Sequence, residues 1–153
     1  TTKRGSLLII NDRVHIARKI NADGVHLGQQ DMSALEARNI IGDEKIIGVS
    51  THNVIQARQA QKDGADYIAI GPIYPTSTKD HEPSVGIEII REISGAVSIP
   101  FIAIGAITLD NLDVVLKAGA SRIAVCSAIM GTEDIYSTTR QFKEKLGETQ
   151  AHG

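Results

Sequence analysis

Three short stretches of this sequence carry oxygen and nitrogen groups suited to phosphate chemistry. Ile9-Ile10-Asn11-Asp12-Arg13 sets an amide and a carboxylate at the end of an apolar run, and Asp31 follows a second apolar run. A hard cation such as Mg²⁺ takes oxygen ligands, often one or two carboxylates together with substrate phosphates. Acids at two successive strand ends supply such a pair; the plainer alternative is that each caps the helix after it. The loop Gly71-Pro-Ile-Tyr-Pro-Thr76-Ser77-Thr78-Lys79 offers three hydroxyls and an ammonium, all good phosphate ligands. Its composition also fits a rigid surface loop with a solvated lysine. No G-x-x-x-x-G-K-[ST] phosphate loop occurs anywhere.

Two further stretches join them. Gly105-Ala106-Ile107 and Cys126-Ser127-Ala128 each follow an apolar run, and small residues there let backbone amides approach an anion. Tight strand-to-helix turns need the same small residues. Cys126 reads as a buried packing residue rather than a nucleophile, because no histidine stands at a recognisable spacing from it. Ser50-Thr51-His52 closes another run: Ser50 can meet a substrate or cap a helix, and His52 is the most tempting general base among five histidines. The histidines form no H-x-x-x-H pair and there is no C-x-x-C, which argues against zinc.

The elements that must position these groups are legible. Apolar, β-branched runs at Leu7–Ile10, Val25–Leu27, Ile46–Val49, Tyr67–Ile70, Phe101–Ile104 and Ile123–Val125 lack polar alternation, as strands of a parallel sheet do. Ser33 to Glu36 is a capping box with Gly42 as a stop. Asn53 starts a helix with the stripe Val54, Ile55, Ala57 and Ala60, ending at Gly64. Asp110 is placed to cap Leu112–Ala118, and a last amphipathic stretch runs from Tyr136 to Leu146, leaving 147–153 as a frayed tail. Asn21-Ala-Asp-Gly24, Asp63-Gly-Ala-Asp66 and Lys117-Ala-Gly-Ala120 are variants of one phrase, each just before a strand.

Six β-then-α units over residues 1–153 predict a single α/β domain. A doubly wound sheet and a (β/α)₈ barrel both satisfy that pattern. The barrel is favoured because polar and glycine-rich residues follow nearly every strand. Only six units are visible where a closed barrel needs eight: either the sheet is an open one of six units, or about 60 residues carrying two more are missing, and the second reading is preferred. The strand at Leu7 would then be an unpaired edge, which predicts poor solubility, a homo-oligomer that covers it, or a longer chain that pairs with it.

Composition narrows the function. A net charge of −2, no Trp, three Tyr and two Phe give neither a basic footprint nor a stacking platform for nucleic acid. One cysteine fits a reducing compartment. No apolar stretch approaches the roughly 18 residues of a membrane span, so a cytoplasmic protein is the expectation.

In order, Ile-Ile-Asn-Asp-Arg (9–13), Gly-Val-His-Leu-Gly-Gln-Gln-Asp-Met (24–32), Gly-Val-Ser-Thr-His (48–52), Asp-Tyr-Ile-Ala-Ile-Gly-Pro-Ile-Tyr-Pro-Thr-Ser-Thr-Lys (66–79), Pro-Phe-Ile-Ala-Ile-Gly-Ala-Ile-Thr (100–108) and Ala-Gly-Ala-Ser (118–121) resemble the thiamine phosphate synthase family. The resemblance runs from Leu7 to about Leu146. It implies a (β/α)₈ barrel that couples hydroxymethylpyrimidine pyrophosphate to thiazole phosphate and releases pyrophosphate. It further implies Asp12 and Asp31 as Mg²⁺ ligands, with Asn11, Ser50 and Lys79 on the pyrimidine pyrophosphate. Thr76, Ser77 and Thr78 would meet the thiazole phosphate, helped by backbone at Gly105, Ala106, Cys126 and Ser127. The family's chemistry is dissociative: charge gathers on departing pyrophosphate, where Mg²⁺ and Lys79 lower the barrier. Ser50 and Lys79 are accordingly the catalytic candidates, and no strong general base is needed.

Two departures from the family pattern stand out. Ala106 occupies a position where the family usually has glycine, and the family's Gln-x-Arg-x-Lys motif is absent, so this chain by itself is expected to be impaired. The alternatives are a thiazole tautomerase-like isomerase, using a histidine near position 52 without paired acids, and a catalytically silent phosphate-binding barrel fragment.

Overall fold

The computed structural model describes residues 5–76 and 83–150, with backbone alone for 148–150. Six strands alternate with helices: β1 Ile9–Asn11, α1 Val14–Lys19, β2 Gly24–Leu27, α2 Ala34–Ile41, β3 Ile46–Thr51, α3 Val54–Lys62, β4 Tyr67–Ile70, α4 Glu88–Ala96, β5 Phe101–Ile104, α5 Leu112–Lys117, β6 Ile123–Ala124, α6 Ser127–Met130 and α7 Ile135–Gln150. They fall into two compact units, Thr1–Ala69 with Ala96–Pro100, and Ile70–Gly95 with Phe101–Gly153.

In the first unit β1, β2, β3 and the start of β4 follow chain order. β1 pairs parallel with β2, placing Asn11 beside His26, and β2 pairs parallel with β3, placing His26 beside Gly48. Val25, Leu27, Ile47 and Ile68 are fully buried, with Val14, Ala17, Ala34, Ala37, Ala57 and Ala60 covering them from the helices. Burial of each large aliphatic side chain there contributes about 1.5–3 kcal/mol.

In two of the three recurring phrases, the aspartate just before the strand has a physical role. Asp23 Oδ2 accepts the Leu8 backbone N–H at 2.7 Å, and Asp66 Oδ2 accepts the Ile47 N–H at 2.7 Å. Each carboxylate thus ties the entry to one strand to the backbone at the start of an earlier one. Arg38 adds a clamp, donating to the carbonyls of Gly42, Lys45 and Gly64 and to Asp66 Oδ2.

The predicted capping box is present in full: Ser33 Oγ accepts from the Glu36 N–H, and Glu36 accepts from the Ser33 N–H. Gly42 closes that helix, and Asn53 caps α3 through the Gln56 N–H at 2.9 Å. The α3 stripe is narrower than its periodicity suggests. Ala57 and Ala60 are buried, but Ile55 is 81% exposed because it lies on the opposite side of the turn.

In the second unit the end of β4, β5 and β6 again follow chain order, and β5 pairs parallel with β6. Its core gathers Ile70, Ile73, Ile90, Ile93, Ala103, Leu112, Val115 and Phe142. Asp110 does not cap α5. Asn111 holds the cap position and spends its side chain on the preceding turn, accepting from the Thr108 N–H and donating to the Ala106 carbonyl. α7 continues to Gln150, past the end at Leu146 that the apolar spacing predicts. Among the described residues, no helix is long and apolar enough to cross a membrane.

Candidate functional site

In the first unit, the carboxyl ends of β1, β2 and β3 carry the predicted residues on one rim. Asn11 is the last residue of β1, and Asp12 turns the chain into α1 with φ 60. Its N–H donates to the His26 carbonyl at 2.8 Å, holding the turn against β2. Neither Asn11 nor Asp12 caps α1; Arg13 holds that position and makes no side-chain cap bond. Helix capping therefore does not explain the exposed Asp12, whose carboxylate makes no hydrogen bond among the described residues.

Asp31 is also not a cap, since Ser33 fills that role. Asp31 Oδ2 instead accepts the Gly28 N–H at 2.8 Å, while the Asp31 N–H reaches back to the Gly28 carbonyl at 3.3 Å. This four-residue turn fixes the carboxylate just beyond β2 and leaves its Oδ1 without a hydrogen-bond partner among the described residues. No group of three or more His, Cys, Asp or Glu side chains able to hold a metal occurs among the described residues. Two exposed carboxylates from neighbouring strands fit a hard cation that completes its shell with phosphate oxygen and water. They do not make a closed protein cage.

Ser50, half-buried on β3, is held more tightly than its surroundings suggest. Its carbonyl accepts from Gln29 Nε2 at 2.6 Å, and its Oγ lies 2.9 Å from His26 Nε2. On the other imidazole nitrogen, His26 Nδ1 lies 2.9 Å from the Tyr67 phenol oxygen. The next residue, Thr51, is buried and donates through Oγ1 to the Ala69 carbonyl at 3.0 Å, joining β3 to β4. His52, the histidine favoured by the sequence, is half-buried at the start of α3, where its N–H donates to Gln56 Oε1 at 2.7 Å. The histidine beside Ser50 is His26.

In the second unit, the loop after β4 is laced to β5. Ile73 N–H donates to the Ile104 carbonyl at 2.9 Å and Tyr74 N–H to the Gly105 carbonyl at 3.2 Å. That approach leaves no room for a side chain at 105, where a Cβ would lie 2.5 Å from Pro72 Cα. Thr76 is half-buried at the end of the described part of this loop; Ser77, Thr78 and Lys79 lie outside the described residues. Ala106 follows in the left-handed region with φ 47. Cys126 is exposed at the cap position of the four-residue α6, so the expectation of a buried packing residue is corrected. β6 is only two residues long, and the chain has left the sheet before Cys126. Ser127, also exposed, begins α6.

The family model described as "Thiamine monophosphate synthase" matches residues 1–129. The chain belongs to that family. A thiamine-phosphate synthase of Halalkalibacterium halodurans is 49% identical over 140 residues, covering 91% of this chain and 66% of the relative. One from Chloroflexus aurantiacus is 46% identical over 151 residues, covering 98% of this chain and 69% of the relative. The chain spans between 41% and 69% of the length of such relatives. Among solved structures, the thiamine phosphate pyrophosphorylase of Pyrococcus furiosus matches with a TM-score of 0.88 at 39% identity, over 97% of this chain and 71% of that one. A structure titled "Native KDPGal structure", 14% identical with a TM-score of 0.72, shares the fold alone. The family member is thus an α/β protein of the (β/α)₈ barrel class, with six parallel strands among the described residues.

Proposed function

We infer that the protein is a thiamine-phosphate synthase, a transferase that joins hydroxymethylpyrimidine pyrophosphate to thiazole phosphate and releases pyrophosphate. Relatives bearing that name support the reading. The observation that carries it is the pair of carboxylates, Asp12 and Asp31, presented from adjacent parallel strand ends with oxygens left open to a ligand.

Asp12 and Asp31 are the residues suited to hold Mg²⁺, which supplies charge neutralisation to a departing pyrophosphate. Asn11 and Ser50 present an amide and a hydroxyl on the same rim and bind the pyrimidine pyrophosphate. Lys79 adds a point charge for the phosphates, and together with Ser50 stabilises the leaving group as its bond to the pyrimidine methylene lengthens. Thr76, Ser77 and Thr78 bind the thiazole phosphate, with backbone at Gly105, Ala106, Cys126 and Ser127 completing its cup. The thiazole nitrogen then captures the cationic pyrimidine carbon, a step that consumes no proton and calls for no general base. His52 is left without a catalytic task.

The test is product formation from the two phosphorylated substrates with and without a chelator. A version extended to the length of its relatives should give thiamine phosphate and pyrophosphate in equal amounts with Mg²⁺ and none on chelation, and this chain by itself should give less. Isomerisation of a thiazole phosphate with no coupled product, unaffected by chelation, would favour the tautomerase-like reading. Binding of thiazole phosphate without any product would favour the silent phosphate-binding module.

A further inference from the structure

Three side chains form a hydrogen-bonded path through the first unit. Tyr67 enters from β4, His26 stands on β2, and Ser50 ends the path on β3, with the contacts Tyr67 Oη to His26 Nδ1 and His26 Nε2 to Ser50 Oγ both 2.9 Å. The two rings lie 5.5 Å apart at 31°. Tyr67 and His26 belong to strands on either side of β3, and the phenol crosses over β3 at Gly48. A Cβ there would collide with Cζ, Cε1 and Oη of the tyrosine.

The direction of the path turns on which imidazole nitrogen carries the proton. A neutral imidazole has one N–H donor and one bare acceptor nitrogen. Burial pushes the Tyr67 phenol above its ordinary value, so it keeps its proton throughout the neutral range and has one to give. With the phenol as donor to Nδ1, a neutral imidazole carries its proton on Nε2 and donates it to Ser50 Oγ. Ser50 then cannot spend its own proton on His26, and that proton is available to a third group. Gln29 fixes the serine main chain at the same time. The carbonyl of His26 also anchors the Asp12 N–H, so one residue braces both the hydroxyl and the carboxylate turn.

We propose that Tyr67 and His26 are positioning residues that hold Ser50 as a hydrogen-bond donor toward a pyrophosphate oxygen of the substrate, with the imidazole in its Nε2–H form. The opposite arrangement, an Nε2 acceptor drawing the proton from Ser50, belongs to a nucleophilic serine, and this site has no use for one. The proposal rests on the reading that Ser50 meets the pyrimidine pyrophosphate.

Long-range ¹H–¹⁵N correlation spectra of the wild-type protein read the tautomer without any turnover. His26 should show a protonated Nε2 and a bare Nδ1. Tyr67→Phe keeps a ring over Gly48 but removes the donor; the single-tautomer signature should be lost and kcat should fall about tenfold, with KM for the pyrimidine substrate within about twofold. His26→Leu should cost more, about a hundredfold in kcat, while His26→Gln, whose side-chain amide can donate to Ser50, should recover most of it. A proton on Nδ1 in the wild type overturns the proposal. So does unchanged kcat in both Tyr67→Phe and His26→Leu, or a Gln variant as poor as the Leu variant. A wild-type protein with the Nε2–H form but no thiamine phosphate synthesis defeats the synthase reading and the substrate-facing part of this one, and leaves the side-chain path intact.

Discussion

The ring of Tyr67 occupies the space that any side chain at position 48 would need, so Gly48 and Tyr67 form a matched pair across β3 and β4. Gly48 is buried mid-strand, where glycine is otherwise unfavourable for want of a packing side chain. Gly48→Ala should destabilise the protein by about 1–3 kcal/mol, the usual cost of overpacking, read as a lower denaturation midpoint. Tyr67→Val clears the ring from above position 48. The double variant should therefore be more stable than the sum of the single losses, and strict additivity would show that the two residues do not collide.

Asp12 combines a carboxylate with a left-handed backbone, and substitution can separate the two. Its φ of 60 is a conformation Asp and Asn tolerate, Ala resists and Gly accepts freely. Asp12→Asn should leave stability within about 0.5 kcal/mol, Asp12→Ala should lose about 1, and Asp12→Gly should match or exceed the parent. All three should lose Mg²⁺-dependent turnover alike, because each removes the charge. Activity that followed the stability order instead would mean the residue serves the turn and not the metal. Chemical denaturation and a Mg²⁺ titration of turnover together decide it.

Local signals in the sequence specify the structure where local chemistry settles the outcome. The runs at Tyr67–Ile70 and Phe101–Ile104 are strands to the residue, and the Ser33–Glu36 box and the Asn53 cap form as their spacing requires. Asp110 and Asn111 both suit a cap, and only the folded turn, in which Asn111 binds the Thr108 N–H and the Ala106 carbonyl, selects one. The role of His26 is not legible in the sequence for a different reason. Its partners Tyr67 and Ser50 lie 41 and 24 residues away, and neither spacing is a motif. Two faint signals were present: a lone polar residue within Gly24-Val-His-Leu27, and a glycine inside the apolar strand at 46–49, where a close approach is the usual cause.

The α2 capping box makes a prediction about acid stability. Hydrogen bonds from the Ser33 hydroxyl and then the Ser33 N–H hold the Glu36 carboxyl below its usual range. Because the folded value is lowered, the contribution is complete above the unfolded value and is lost as pH falls through the folded one. Ser33→Ala removes the larger of the two bonds. Glu36, followed by NMR titration, should move back up toward an ordinary glutamate. The variant's stability deficit should be plain at neutral pH and should shrink on acidification, as the parent loses the same interaction. A deficit independent of pH would assign the loss to the Ser33 cap on the Glu36 N–H alone.

Ala106 carries strain that a single substitution should release. Its φ of 47 puts a Cβ in the left-handed region, at about 1–2 kcal/mol for an L-residue. The turn is nevertheless pinned, since Asn111 Nδ2 donates to the Ala106 carbonyl at 3.0 Å and Asn111 Oδ1 accepts the Thr108 N–H at 2.9 Å. Glycine avoids the steric cost but gives up about 0.5–1 kcal/mol through its greater freedom when unfolded. The balance favours Ala106→Gly by about 0.5–1 kcal/mol, visible as a higher denaturation midpoint at unchanged m-value. A backbone cup for the thiazole phosphate would also gain room, so KM for that substrate should fall by about two- to fivefold, a small binding-energy change of the kind KM reports. Loss of stability would show that packing of the methyl group outweighs the strain. Gain of stability with an unchanged KM would place the thiazole phosphate elsewhere than this turn.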